Sequence, residues 1–174
     1  KRALGASVKD GLRGDLIGLR ERWQVRQGTK RDPYIGVADE LAEVADVVDR
    51  MAAFILLRGE GAFDHAADID HPAYRELIKG LAAHGELGLH PSYGSSEDVG
   101  LIDAERQQLQ NSSNGKISLS RQHFLKWRMP DTLRHLREAR FTEDHTLGFS
   151  DRVGFRAGTC TPFRWYDLKR EEET

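Results

Sequence analysis

Short apolar segments alternate with longer amphipathic ones along most of this chain, and this alternation restricts the fold more than any other feature. Residues 52–57 form a continuous apolar run of strand length, and residues 86–90 form a second short run that ends at a histidine. The segments between these runs carry apolar residues at three- and four-residue spacing, which is typical of helices between parallel strands. The predicted strands are 52–57, 86–90, 117–120, 141–142 and 153–156, and the predicted helices are 35–50, 72–83, 97–110 and 130–140. The alternation predicts an α/β fold in which helices cover a parallel sheet.

The sequence predicts three parts. Residues 1–31 are an N-terminal helical segment, because leucine, valine and tryptophan recur at helical spacing through most of it. Residues 32–168 are the α/β domain, and the 174 residues of the chain are enough for one hydrophobic core. Residues 169–174 are a charged tail, which we expect to fray.

Composition excludes several classes of protein. The formal net charge of −2 at pH 7 argues against a strongly basic nucleic-acid-binding surface. The single cysteine, Cys160, excludes an internal disulfide framework and a four-cysteine zinc site. No apolar run approaches the roughly 20 residues of a membrane-spanning helix. No signal peptide is seen in a sequence that begins at Lys1, which favours a cytoplasmic location.

Polar side chains with metal-binding or acid–base chemistry follow three successive predicted strands. His90 ends one strand, His123 follows the next, and Asp144 follows the one after that. Because the carboxyl ends of parallel strands meet at one edge of a sheet, we expect these groups to lie close together. Two imidazoles and a carboxylate suit a divalent transition metal with open coordination positions. We therefore predict His90 and His123 as metal ligands, with zinc as the first choice and nickel, cobalt or iron as alternatives.

Two other interpretations of these polar residues stay open. In the first, His90 only hydrogen-bonds to a turn and binds no metal. In the second, the metal lies in the polar loop after the first strand, where carboxylates and imidazoles are also close in sequence: Asp64, His65, Asp68, Asp70 and His71.

Five short blocks follow one another in a recognisable order and spacing. They are AFILL (53–57), ELGLHPSY (86–93), SRQHFL (120–125), DHTLGF (144–149) and GFRAGT (154–159). Together they resemble the polysaccharide deacetylases of the NodB-homology group, over roughly residues 32–168. The resemblance implies a distorted or incomplete (β/α) barrel and a metal-dependent hydrolysis of N-acetyl or O-acetyl groups on carbohydrate.

The resemblance also implies roles for individual residues. His90 matches the first histidine of the family's metal motif, and Arg121 matches the arginine that lines the groove and orients the catalytic base. Asp144 falls near the family's later aspartate motif, so Arg121 and Asp144 are the predicted catalytic residues. Three further residues are predicted to contact the acetylated carbohydrate: Ser92, Tyr93 and Arg156.

The chain departs from the family pattern at three places. Gly94 stands where the family has its second histidine, the opening aspartate pair has no counterpart in residues 1–31, and the closing histidine is missing. We infer His123 as the replacement ligand from its place at the next strand end. The departures predict a fragment without the outer barrel strands, whose open edges a partner subunit would cover in a homo-oligomer. The alternatives are a non-catalytic module that binds glycan or protein, and a metal hydrolase of phosphoesters or amides, since Arg121 and Arg156 suit an anionic substrate.

Overall fold

The structure is a computed structural model, and it forms two compact units that divide between Glu40 and Leu41. It describes residues 11–12, 14–32, 36–45, 47–57, 59 and 61–173. The first ten residues of the predicted N-terminal helical segment 1–31 therefore lie outside the described residues.

Helix α1 (Leu16–Arg26) belongs to the first unit. It begins after Asp15, whose carboxylate accepts a hydrogen bond from the backbone N–H of Gly18 at 2.8 Å, a common way to satisfy a free amide of the first turn. None of the residues of α1 is buried. Helix α2 (Val37–Ala45) follows and crosses the division between the units.

Four parallel strands form the sheet of the second unit. They are β1 (Ala52–Leu56), β2 (Glu86–His90), β3 (Leu119–Ser120) and β4 (Glu143–Asp144), in the spatial order β1-β2-β3-β4. The connections contain helices α3 (Pro72–His84), α4 (Val99–Ser113) and α5 (Asp131–Glu138). The predicted α/β class and parallel sheet are confirmed. Among the described residues the sheet is open, with β1 and β4 at its two edges.

The hydrophobic core combines alternate residues of the strands with one side of each covering helix. Its members include Ile55, Leu87 and Leu89 of the strands and Ile78, Ile102, Leu109 and Leu136 of the helices. On the other face of the sheet, Gly88 allows a close approach, because a Cβ atom there would lie 2.5 Å from the ring of Phe54 and 3.1 Å from Cβ of Leu119. Glycine is thus required at the centre of β2 by the neighbouring strands.

Strand β3 covers only Leu119–Ser120 of the predicted 117–120, and two other predicted strands differ more strongly from those observed. Strand β4 begins at Glu143 instead of Phe141, because Arg140 adopts a left-handed φ of 66° and Phe141 donates its backbone N–H to the Leu136 carbonyl to end α5. The predicted strand 153–156 is wrong: only an isolated antiparallel bridge between Gly148 and Phe155 forms there.

A salt-bridge network spans the amino edge of the sheet. The guanidinium of Arg50, just before β1, contacts Glu86 at the start of β2 (Nε to Oε1, 2.5 Å) and Glu143 at the start of β4 (Nη1 to Oε2, 2.8 Å). These contacts hold the pKa of both carboxyl groups below the usual range, through hydrogen bonds from Arg50. Arg50 therefore connects two strands that are not neighbours in the sheet.

The charged tail, which was expected to fray, is part of an antiparallel pair of strands. Strand β5 (Tyr166–Asp167) pairs with β6 (Glu172–Glu173). The buried carboxylate of Asp167 accepts two hydrogen bonds from Arg134 of α5, at 2.7 and 2.8 Å. This two-pronged contact fixes β5, the strand with which the tail pairs, to α5. No helix in the described part of the chain is long and apolar enough to cross a membrane, as the sequence predicts.

We expect the Arg134–Asp167 pair to contribute stability at neutral pH and to lose that contribution in acid. Hydrogen bonds from Arg134 lower the pKa of Asp167 to about 2, from about 4 in an unfolded chain. Because the folded value is the lower one, the contribution is complete above the unfolded pKa and is lost as the pH falls through the folded pKa. Thermal unfolding of the parent and of Asp167→Asn would show midpoints at least about 3 °C apart at pH 7 that converge near pH 2. A difference that stays constant down to pH 2 would contradict this account.

Candidate functional site at the carboxyl edge of the sheet

Two histidine rings contact each other at the carboxyl edge of the sheet. His90 ends β2, and His123 begins the short 3₁₀ turn His123–Leu125 after β3. The Nδ1 atom of His123 lies 2.8 Å from Nε2 of His90, and the two rings are nearly perpendicular, with centroids 4.8 Å apart. The structure therefore brings together the two residues that the sequence predicts as metal ligands.

The outer nitrogen of each ring faces a backbone carbonyl. His90 donates from Nδ1 to the Arg121 carbonyl at 2.5 Å, and Nε2 of His123 lies 3.3 Å from the Phe63 carbonyl. Carbonyls only accept, so these two contacts and the contact between the rings need three hydrogens, whereas two neutral imidazoles supply two. When both outer nitrogens carry hydrogen, two lone pairs face each other. When the hydrogen of His123 lies on Nδ1 instead, both rings are neutral and share an ordinary N–H···N hydrogen bond at 2.8 Å.

The environment of His90 suits a metal ligand. Burial lowers the pKa of His90, which favours the neutral ring, and a metal binds the neutral ring. In the neutral ring, its hydrogen bond to a backbone carbonyl places the hydrogen on Nδ1 and leaves a lone pair on Nε2, the form in which most histidines bind a metal. Among the described residues, no group of three His, Cys, Asp or Glu side chains lies close enough to share a metal ion. The described donor set thus consists of the two imidazoles, and the alternative cluster at residues 64–71 does not form.

Arg121 connects the ends of three strands. Its carbonyl accepts the hydrogen bond of His90, and its guanidinium donates to the His145 carbonyl at 2.8 Å, beyond β4. The residue therefore lies beside the histidine pair, as the sequence predicts, and it orients His90 through its own backbone.

Asp144 does not join the histidine pair. In the register of the sheet it pairs with Ser120, on the face opposite to the one that carries His90. Its carboxylate accepts hydrogen bonds from both the hydroxyl (2.6 Å) and the backbone N–H (3.1 Å) of Thr146, and burial raises its pKa. The Thr146 hydroxyl in turn accepts the N–H of Gln122 at 3.0 Å. In the structure, Asp144 thus positions the loop that carries His123.

Two buried carboxylates hold consecutive amides of the loop after His90. Glu105 of α4 accepts the backbone N–H of Ser92 at 3.0 Å, and Asp64 accepts that of Tyr93 at 2.7 Å. Both acidic side chains are almost completely buried, and burial raises the pKa of Glu105. Ser92 is itself buried, whereas Tyr93 is exposed. The two carboxylates therefore fix the position of Tyr93 at the edge of the site.

Three exposed aromatic rings lie beside the histidine pair, and we call them the aromatic platform: Phe63, Tyr93 and Phe124. Their exposed fractions are 51%, 36% and 63%, which is unusual for rings in mutual contact. The sequence predicts a role for Tyr93 alone. Nothing in the sequence distinguished Phe63 from other loop residues, although Phe124 directly follows His123 in the SRQHFL block.

The backbone at Phe124 is strained. Phe124 and Leu125 both have left-handed φ angles, 55° and 52°, each of which costs about 1 kcal/mol or more for a residue with a side chain. Arg156 donates to the carbonyls of Leu125 (2.9 Å) and Thr146 (2.8 Å) and so holds the strained turn. The predicted substrate-binding side chain of Arg156 is therefore engaged with the backbone.

The site combines two imidazoles in mutual contact with an exposed aromatic surface. Such a combination can bind a cation and, beside it, a ligand with flat apolar faces. Comparison of the chain with protein-family models, with curated proteins and with solved structures gives no match.

Proposed function

We propose that this chain is a metal-dependent hydrolase that removes acetyl groups from carbohydrate, on a distorted or incomplete barrel of the polysaccharide deacetylase type. The observation that carries the proposal is the convergence of His90 Nε2 and His123 Nδ1, 2.8 Å apart, with both outer nitrogens directed at carbonyls. The resemblance of five sequence blocks to that family supports the same chemistry.

The ion would be zinc, or alternatively nickel, cobalt or iron, held by His90 and His123. When bound, such an ion acidifies a water molecule and stabilises the oxyanion of the tetrahedral intermediate. The overall reaction consumes one water and gives acetate and a free amine or hydroxyl on the sugar. Two imidazoles leave coordination positions for water and substrate.

The chain's own residues would prepare this site in two ways. The Arg121 carbonyl holds the His90 ring with Nε2 directed toward the ion, so Arg121 acts as a positioning residue. The Asp144–Thr146 hydrogen bonds hold the amide of Gln122, one residue before His123. Tyr93 would contact the sugar, since its ring is exposed beside the histidine pair.

A second candidate function is a non-catalytic module that binds glycan. The observation that favours it is the donor set of the described residues, which ends at two imidazoles while the aromatic platform is fully formed. This module would bind sugar without a tight metal ion and without releasing acetate.

Metal content and acetate release test the proposal. The purified chain would be equilibrated with zinc, dialysed and measured by mass spectrometry, together with His90→Ala, His123→Ala and the exposed control His84→Ala. We expect about one zinc per chain in the parent and the control, and less than about a tenth of that in both site variants. Acetate release from N-acetylglucosamine oligomers should follow the metal. A parent that holds no zinc and releases no acetate would refute the hydrolase.

A further inference from the structure

We propose that the aromatic platform is a stacking subsite for the sugar rings of the acetylated glycan, next to the residue that carries the scissile acetyl group. This inference rests on the proposed function for the identity of the ligand. It rests on the structure for the subsite itself, which includes two rings, Phe63 and Phe124, that the sequence did not single out.

The rings of the aromatic platform contact one another at interplanar angles of 49°, 76° and 89°, and the cluster reaches the histidine pair. The Phe63 centroid lies 4.8 Å from that of Tyr93 and 5.4 Å from that of Phe124, and Tyr93 and Phe124 are 5.8 Å apart. Phe124 also contacts the His123 ring, with centroids 4.6 Å apart. A ligand on the platform therefore lies directly beside the proposed metal ligands.

The chain holds Phe124 outward at a cost in backbone conformation. The left-handed turn at Phe124 and Leu125 leaves the Phe124 ring 63% exposed, although burial of a phenylalanine ring would normally stabilise the fold. Strain that produces an exposed aromatic ring is explained when the ring has a ligand. Two hydrogen bonds from Arg156, to the carbonyls of Leu125 and Thr146, hold the turn in this form.

The rim of the platform carries groups that suit sugar hydroxyls. The ammonium of Lys126 lies over one face of the Tyr93 ring, 4.6 Å from its centre, and 3.1 Å from the carboxylate of Glu97. A hydroxyl both donates and accepts hydrogen bonds, so an ammonium and a carboxylate side by side serve both capacities. A pyranose has an apolar C–H face and a hydroxyl rim, which matches aromatic faces bordered by such a pair.

Binding of a defined oligosaccharide tests the subsite. The probe is the β-1,4-linked pentamer of N-acetylglucosamine, titrated calorimetrically into the full chain in the presence of EDTA, so that no metal-dependent hydrolysis occurs. We expect Phe63→Ala and Phe124→Ala each to weaken binding about tenfold. Phe124→Tyr should stay within about threefold of the parent, because it keeps the ring. The matched control is Phe163→Ala, which removes another exposed ring, 57% exposed, and should leave the affinity unchanged.

The outcomes separate the subsite from the hydrolase. A parent that does not bind the pentamer, or platform variants that bind it as tightly as the parent, would overturn the subsite. If the parent holds zinc and releases acetate but the platform variants bind the pentamer as tightly as the parent, the subsite is overturned and the hydrolase stands. If the parent holds no zinc but the platform variants bind the pentamer tenfold more weakly, the subsite is supported and the chain is a glycan-binding module. In every outcome that supports the subsite, we expect Phe63→Ala and Phe124→Ala to contain as much zinc as the parent.

Discussion

Replacing Leu89 by alanine is expected to lower the free energy of unfolding by about 3 kcal/mol. Leu89 is fully buried in β2, between its neighbours Ile55 of β1 and Ser120 of β3. Truncation removes the transfer free energy of the lost carbons and leaves a cavity that a strand fixed on both sides by hydrogen bonds cannot close. Chemical denaturation by urea would measure the change at constant m-value.

Leu101→Ala provides the matched control for this prediction. The substitution removes the same side-chain carbons as Leu89→Ala, but Leu101 is 41% exposed on α4. The free energy of unfolding should therefore fall by less than about 1 kcal/mol. An equal loss of unfolding free energy in Leu89→Ala and Leu101→Ala would show that Leu89 does not belong to the core that supports His90.

Replacing Glu105 by alanine is expected to destabilise the chain by about 2 kcal/mol, whereas Glu105→Gln should stay within about 1 kcal/mol of the parent. Alanine leaves the Ser92 N–H without its acceptor, while glutamine keeps a carbonyl oxygen at the same place. The alanine variant should also release the loop that carries Tyr93, and this release would appear as faster hydrogen exchange at the amides of the loop.

The pH dependence of Glu105 has the opposite sign to that of Asp167. Burial raises the folded pKa of Glu105 above the unfolded value, so the folded state binds the proton more tightly. The stability of the parent relative to Glu105→Gln should therefore be highest below the unfolded pKa and fall as the pH rises through the folded pKa. If the parent instead became more stable relative to Glu105→Gln as the pH rises, the raised pKa of Glu105 would be contradicted.

The sequence predicts the parallel sheet and the two histidines of the site, because these features depend on local patterns. The apolar run that ends at His90, followed by Pro91, marks both the strand and its carboxyl edge. The parallel arrangement then places His123 beside His90, and the structure shows this contact. Helix α3 also begins at Pro72 as predicted, since proline suits the first turn of a helix.

The remaining features depend on details that no local pattern carries. Asp144 was expected at the site, but the residue Arg140 ends α5 in a left-handed conformation and β4 starts late, so Asp144 lies within the strand and on the other face. The roles of Asp64 and Glu105 depend on contacts with amides 29 and 13 residues away in sequence. The outward direction of Phe124 depends on a backbone conformation that phenylalanine rarely adopts.

The Arg50 network has a consequence for how the chain acquires its site. Arg50 meets Glu86 and Glu143 across 36 and 93 residues of sequence, and each pair of neighbouring strands closes a loop of about 30 residues. No pair of neighbouring strands in the sheet is a local hairpin, so formation of the sheet depends on contacts between residues far apart in sequence. A nascent chain in which His123 has not yet emerged from the ribosome can already expose β1 and β2, but it exposes only one of the two imidazoles. The candidate site therefore cannot form before β3 pairs with β2, and the His90–His123 contact would report that pairing.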